Sequence, residues 1–155
     1  MDLSLEYGIL PFIIIIGYLI MIKTIYFLAP DKKWKKFPDK CKINTKCTRV
    51  ADINNRGYGL KPIQLNDTIK NVQEKIVHII KNRPRMKIIN EEKGFIHASD
   101  VTLFFRFHDD LAIRIFESEN KVNIWLQSQS RLGLYDLNVN EKRVQDIHKK
   151  ISALA

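Results

Sequence analysis

The chain has two cysteines, six glycines and five prolines in 155 residues, and it lacks the short motifs that mark common enzymes. There is no P-loop, no dinucleotide fingerprint and no H-E-x-x-H pair, which removes the classes built on them. No G-x-S-x-G elbow is present and Ser130 has no histidine near it in sequence, so a hydrolase nucleophile would lack its base. Cys41 and Cys47 stand far from the histidines, an arrangement without zinc-ligand spacing. His97, His108 and His148 fall on separate elements, and the adjacency of His108 to Asp109 does not by itself make a catalytic pair. His78, without a partner at helical spacing, reads as an interfacial or solvated residue rather than a ligand. No repeat or low-complexity segment is visible. No cofactor and no metal are expected.

Charge is also missing from one stretch. Residues 7–22 carry none, and after Lys23 the apolar run resumes to Ala29. As a helix at ~1.5 Å per residue, residues 7–29 extend about 34 Å, enough for a bilayer core of ~30 Å. A buried core helix is the alternative, but IIIIGYLIMI has no polar stripe and a domain this small could hardly cover it all round. A cleaved signal peptide would begin with positive charge and end in an A-x-A-like site. Here the start is acidic, with Asp2 and Glu6, and no such site follows. Residues 1–29 therefore read as a retained single-pass anchor, with Lys23 able to snorkel and Tyr18, Tyr26 and Trp34 as interfacial rings.

The net charge of +9 is concentrated beside that run. Nine basic residues lie between Lys23 and Arg49 against Asp31 and Asp39, leaving the remainder nearly neutral. Such a collar fits an anionic bilayer face, at about 1 kcal/mol per Lys or Arg near the surface, with Lys32, Lys33, Lys35 and Lys36 as headgroup contacts. The lipid bilayer is thus an expected partner. Nucleic acid is not, although Phe104, Phe116 and Trp125 could offer stacking rings. The positive-inside rule puts the N-terminus outside and the soluble domain on the cytoplasmic or organelle-equivalent side. Pro30 ends the helix, and residues 30–49 read as a basic juxtamembrane linker. Within it, Cys41 and Cys47 are either free thiols or a disulfide. The second requires an oxidising compartment and so competes with the orientation.

Residues 50–155 read as one globular domain. After an irregular stretch with Gly57, Gly59 and Pro62, Asn66 or Asp67 caps a helix whose apolar face is Ile69, Val72, Ile76, Ile79 and Ile80. Pro84 closes it. Strands follow at residues 86–90 and 95–98, separated by a turn at 91–94. Alternation then runs through Val101, Leu103, Phe105 and Phe107, restarts after Asp109-Asp110 with Leu111, Ile113 and Ile115, and continues past a turn at 118–120 with Val122, Ile124 and Leu126. Asn138 and Glu141 resemble a capping box opening a last helix with Val144, Ile147, Ile151 and Leu154 inward. This is an α+β pattern: an antiparallel sheet of four or five strands with two packing helices, preceded by one transmembrane helix.

Phe105, Arg106, Phe107, Asp109 and Asp110, followed by Ser130, Arg131, Gly133, Asp136, Leu137, Asn140 and Arg143, resemble the signature of the domain-of-unknown-function family numbered 1499. The likeness covers residues 38–150 and extends to the spacing of Cys41 and Cys47. Departures are Ala112 for a common acidic residue, Tyr135 for a small one and Asn138 for glycine, the last still compatible with a left-handed backbone. The resemblance implies a fold and a membrane or envelope setting, without an activity.

Two functional readings follow. In the first, the domain is a non-enzymatic interaction or accessory subunit of a larger membrane complex, bioenergetic assemblies included. Phe104 and Trp125 would then be outward rings covered by a partner. In the second, Arg106, Asp109, Asp110, Arg131, Asp136, Asn140 and Arg143 form a ligand-binding or enzymatic site. The same residues would also serve as turn-holding carboxylates gripped by arginine forks. Neighbouring carboxylates on a strand face opposite ways, so Asp109 and Asp110 converge on one metal only across a bulge.

Overall fold

The computed structural model describes residues 3–155, with side chains from Gly8 onward. The acidic start, Asp2 and the Glu6 side chain, lies outside the described residues. Helix α1 (Leu3–Leu28) leads into β1 (Cys47–Val50), β2 (Ile63–Leu65), α2 (Ile69–Lys81), β3 (Met86–Glu92), β4 (Phe95–Val101), β5 (His108–Ser118), β6 (Lys121–Ser130) and α3 (Val139–Ser152). Residues Gly8–Leu28 are apolar and long enough to cross a membrane. Among the α1 residues whose side chains are described, Gly8–Leu28, Ile25 alone is buried, with Ala29 just beyond the helix end.

Every strand pair is antiparallel, in the order β1-β6-β5-β4-β3, with β2 also on β6. The α+β class stands as expected. The sheet holds six strands, because β1 and β2 share one edge of β6, at Gln129–Leu126 and Ile124–Val122 in turn. Both are too short to show a period, and β1 is buried at all four positions, which removes the alternation. The expected linker therefore contributes a strand to the sheet.

One face of the sheet packs on α2 and α3 through Ile96, Leu111, Ile113, Ile124 and Leu126 against Val72, Ile76, Ile80, Val144 and Ile147. A segment following α1 crosses the other face. Phe37 and Trp34 pack there with Ala51, Phe95, Ala112 and Trp125. Trp125 is thus no outward ring awaiting a partner: Phe37 and Phe116 lie 5.9 and 4.9 Å from it, ring to ring.

Three local expectations change. The alternation does not continue as a strand past Val101, the last residue of β4. The Thr102 amide donates to the Phe107 carbonyl, the Phe107 amide donates to the Thr102 hydroxyl, and Arg106 takes φ 55°. The segment closes on itself as a loop and its apolar side chains stay outside the core. Asp109-Asp110 is not a junction but the second and third residues of β5. Both helix caps shift as well. Thr68 caps α2, accepting from the Asn71 amide. Asn138, left-handed at φ 62°, makes no side-chain cap. The Asp136 carboxylate does that work, accepting from the amides of Asn138 and Asn140.

Candidate functional site

Because β5 is extended, Asp109 and Asp110 face opposite sides of the sheet, and each finds its own arginine. On the helix face, Asp109 Oδ2 accepts from Arg143 Nη2 at 2.8 Å, and Arg143 Nε donates to Asp100 at 2.8 Å. Arg143 Nη1 donates to the Ser128 hydroxyl and to Asn140 Oδ1. Asn140 Nδ2 in turn donates to Asp136, Ser130 and the Lys46 carbonyl. Arg56 closes the network on Asp136 at 2.8 Å. Burial by itself lowers the Arg143 pKa, but Asp109 and Asp100 outweigh it, so the net shift is upward. Burial likewise pushes the Asp136 carboxyl up, and its bonds from Arg56 and Asn140 bring it below the usual carboxylate value.

On the opposite face, Asp110 accepts from His97 Nε2 at 2.9 Å and from Arg131 at 2.8–3.1 Å. The Trp34 amide donates to His97 Nδ1, which leaves Nε2 as the proton-bearing nitrogen. The Trp34 ring stacks on the same imidazole, 4.8 Å centre to centre and 5° from parallel. Arg131 extends the chain to Asp31 and the Ala29 carbonyl, where α1 gives way to the crossing segment. Burial raises the Asp110 pKa, but hydrogen bonds from His97 and Arg131 outweigh it and the carboxyl ends below its ordinary range.

The expected seven-residue cluster is therefore divided. Asp109, Asp136, Asn140 and Arg143 meet on the helix face, Asp110 and Arg131 on the other, and Arg106 stands apart in the 102–107 loop. The guanidinium groups of Arg131 and Arg143 are taken up by protein acceptors. Lys32, Lys33, Lys35 and Lys36 are exposed on the crossing segment. Cys41 and Cys47 are bridged. Sequence reasoning missed His97, Arg56, Asp100 and Ser128. The pairing of Ser99 with Asp110 puts His97 within diagonal reach, but that register is not visible before the sheet is.

A family described as Protein of unknown function (DUF1499) matches residues 39–151. The chain belongs to this family. No curated protein matches it. The DUF1499 span takes in β1 through most of α3, the Asp109–Arg143 network and the Asp110–His97–Arg131 group, but not α1, Asp31 or Trp34.

Beyond the networks, the DUF1499 domain carries an apolar feature. The loops at 102–107 and 131–138 lie together around a cavity of ≈ 320 Å³. Leu103, Phe104, Phe105, Leu134, Tyr135 and Leu137 are all more than half exposed on them. Monomeric soluble proteins rarely expose apolar side chains clustered in this way. The first loop runs beside α1: Tyr18 Oη donates to the Phe104 carbonyl at 2.8 Å, and the Tyr26 ring meets His108 at 5.7 Å.

Proposed function

We propose that this protein is a non-enzymatic, single-pass membrane domain that works pressed against the bilayer, with α1 as its anchor and the two apolar loops sunk into the adjoining leaflet. The contact between Tyr18 and Phe104 carries this reading. Lys23 and Arg106 border the same groove, a natural headgroup level for two snorkelling cations. Tyr18 precedes Lys23 by five residues, about 7 Å of helix towards the bilayer centre, within the ~5–10 Å burial of interfacial segments. The saturated arginines support a structural role for the ion pairs rather than a catalytic one.

No free cysteine exists among the described residues, so a single nitroxide at Phe104→Cys or Lys149→Cys measures depth cleanly. In nanodiscs, position 104 should be reached by oxygen and shielded from a water-soluble nickel chelate, with the reverse at 149. A nickel-accessible label at 104 would remove the docking.

The Cys41–Cys47 bridge favours an oxidising compartment, whereas the lysine collar favours the cytoplasm. We take the bridge, because long C-terminal domains translocate largely regardless of flanking charge. Impermeant maleimide applied to spheroplasts after reductant should then label the pair, and labelling only after lysis would reverse the assignment.

An accessory-subunit role draws on a separate observation: Ile53 and Tyr58 are 76% and 82% exposed on the 51–60 loop, away from the core. Mild-detergent purification should give a complex of fixed stoichiometry that Tyr58→Lys dissociates; a monomer from native membranes would count against it.

A further inference from the structure

We infer that the cavity between the two apolar loops binds one membrane amphiphile, with an apolar chain and a head that donates a hydrogen bond, such as a hydroxyl or an ammonium group. The inference rests on the bilayer-docked reading, which supplies the route of entry.

Size, wall and floor each narrow the occupant. At ≈ 320 Å³ the cavity is at the small end of ligand sites, ~300–1,000 Å³. Leu103, Phe105, Phe107, Leu132, Tyr135 and Leu137 line it, so most of its occupant must be hydrocarbon. The rim is formed by exposed parts of the two loops, the first of which lies beside α1, and in the docked arrangement a lipid reaches it without crossing water.

Asp109 is among the few polar residues that line the cavity. Its side chain is 2% exposed, and Arg143 holds Oδ2, yet Oδ1 is buried without a hydrogen-bond partner among the described residues. A carboxylate oxygen left so costs free energy that a donor would recover. Asp136 also lines the cavity, but Arg56 and the Asn138 amide occupy its Oδ1, and Asn140 its Oδ2. The one vacant acceptor among these carboxylates therefore asks for an O–H or N–H. It rejects a fatty-acid carboxylate, which would bring a second negative charge to Asp109, and offers nothing to a plain hydrocarbon.

The test uses the full chain in nanodiscs doped with a long-chain alcohol carrying a photoreactive diazirine, or with its methyl ether or its carboxylate analogue. Crosslinks are mapped by mass spectrometry. The alcohol should label peptides from residues 102–107 and 130–139 about tenfold more than the ether, the effect of one hydrogen bond to a charged acceptor. Excess dodecanol should suppress that labelling. Leu132→Trp, which fills the cavity and leaves the Asp109–Arg143 pair intact, should abolish the preference, and Asp109→Asn should reduce it. If Asp109→Asn does not fold, Leu132→Trp alone decides. Equal, unsaturable labelling by alcohol and ether would overturn the inference while leaving the docked loops standing, since it describes lipid contact without a site. Saturable labelling that survives Leu132→Trp would also overturn it. Absence of loop labelling by every probe would remove the bilayer docking as well.

Discussion

Arg143→Met is the sharpest probe of whether the polar network holds the fold or serves a ligand. Methionine keeps most of the stem and removes a guanidinium only 4% exposed, whose partner Asp109 is 2% exposed. The substitution leaves Asp109 with neither oxygen paired and Asp100 without its Nε donor. Breaking a buried pair from one side costs about 3–5 kcal/mol, a large share of the ~5–15 kcal/mol that holds a domain together. Asp109→Asn leaves Arg143 on Asp100, Ser128 and Asn140, so its expected cost is smaller, about 1–3 kcal/mol. Combining the two should fall short of additivity by about 0.5–3 kcal/mol, because they share one contact. Urea unfolding in detergent micelles, followed by Trp34 and Trp125 fluorescence, measures all three. If Arg143→Met costs below ~1 kcal/mol, the arginine is not a structural tie and the saturated ion pairs no longer support a non-enzymatic role.

Three further outcomes are expected. Asp110 and Asp136 both titrate below the ordinary carboxylate value when folded. The stability they add is thus complete above about pH 4 and lost as the pH falls below that through their folded values; Asp110→Asn should flatten the acid limb of a melting-temperature profile, and an unchanged slope would contradict the assignment. Gly94→Ala should destabilise by about 1–3 kcal/mol, since Gly94 sits at φ 76° and an added Cβ would meet the Ile115 carbonyl at 2.6 Å; chemical denaturation indistinguishable from wild type would exclude that clash. Reducing Cys41–Cys47, six residues apart, should lower stability by about 2 kcal/mol, read as a drop in melting temperature with reductant, and no drop would mean the loop is held by other contacts.

The elements that could be read in advance share a local cause. The α2 face repeats through Val72, Ile76 and Ile80, and β6 alternates Ile124 with Trp125, because neighbours a few residues apart decide which side meets apolar company. The 101–107 segment shows where this fails. It alternates like a strand, but alternation says only that two sides differ, not that a strand waits alongside. With Arg106 left-handed and Thr102 closing on Phe107, the apolar side points outward beside α1. Trp125 errs the other way, its ring covered by Phe37 from a segment some ninety residues earlier.

By itself the sequence determined the apolar helix α1, the α+β class, the DUF1499 resemblance and the divergence of Asp109 from Asp110. The resemblance rests on the motif residues between Phe105 and Arg143; the others follow from composition, or from the fixed geometry of a helix or an extended chain. Only the tertiary structure decided that Asp109 pairs with Arg143 and Asp110 with Arg131 and His97, that β1 and β2 share one edge of β6, and that two loops enclose a cavity. A buried charge chooses its partner by distance, and distance across a sheet is set by register between strands far apart in the chain.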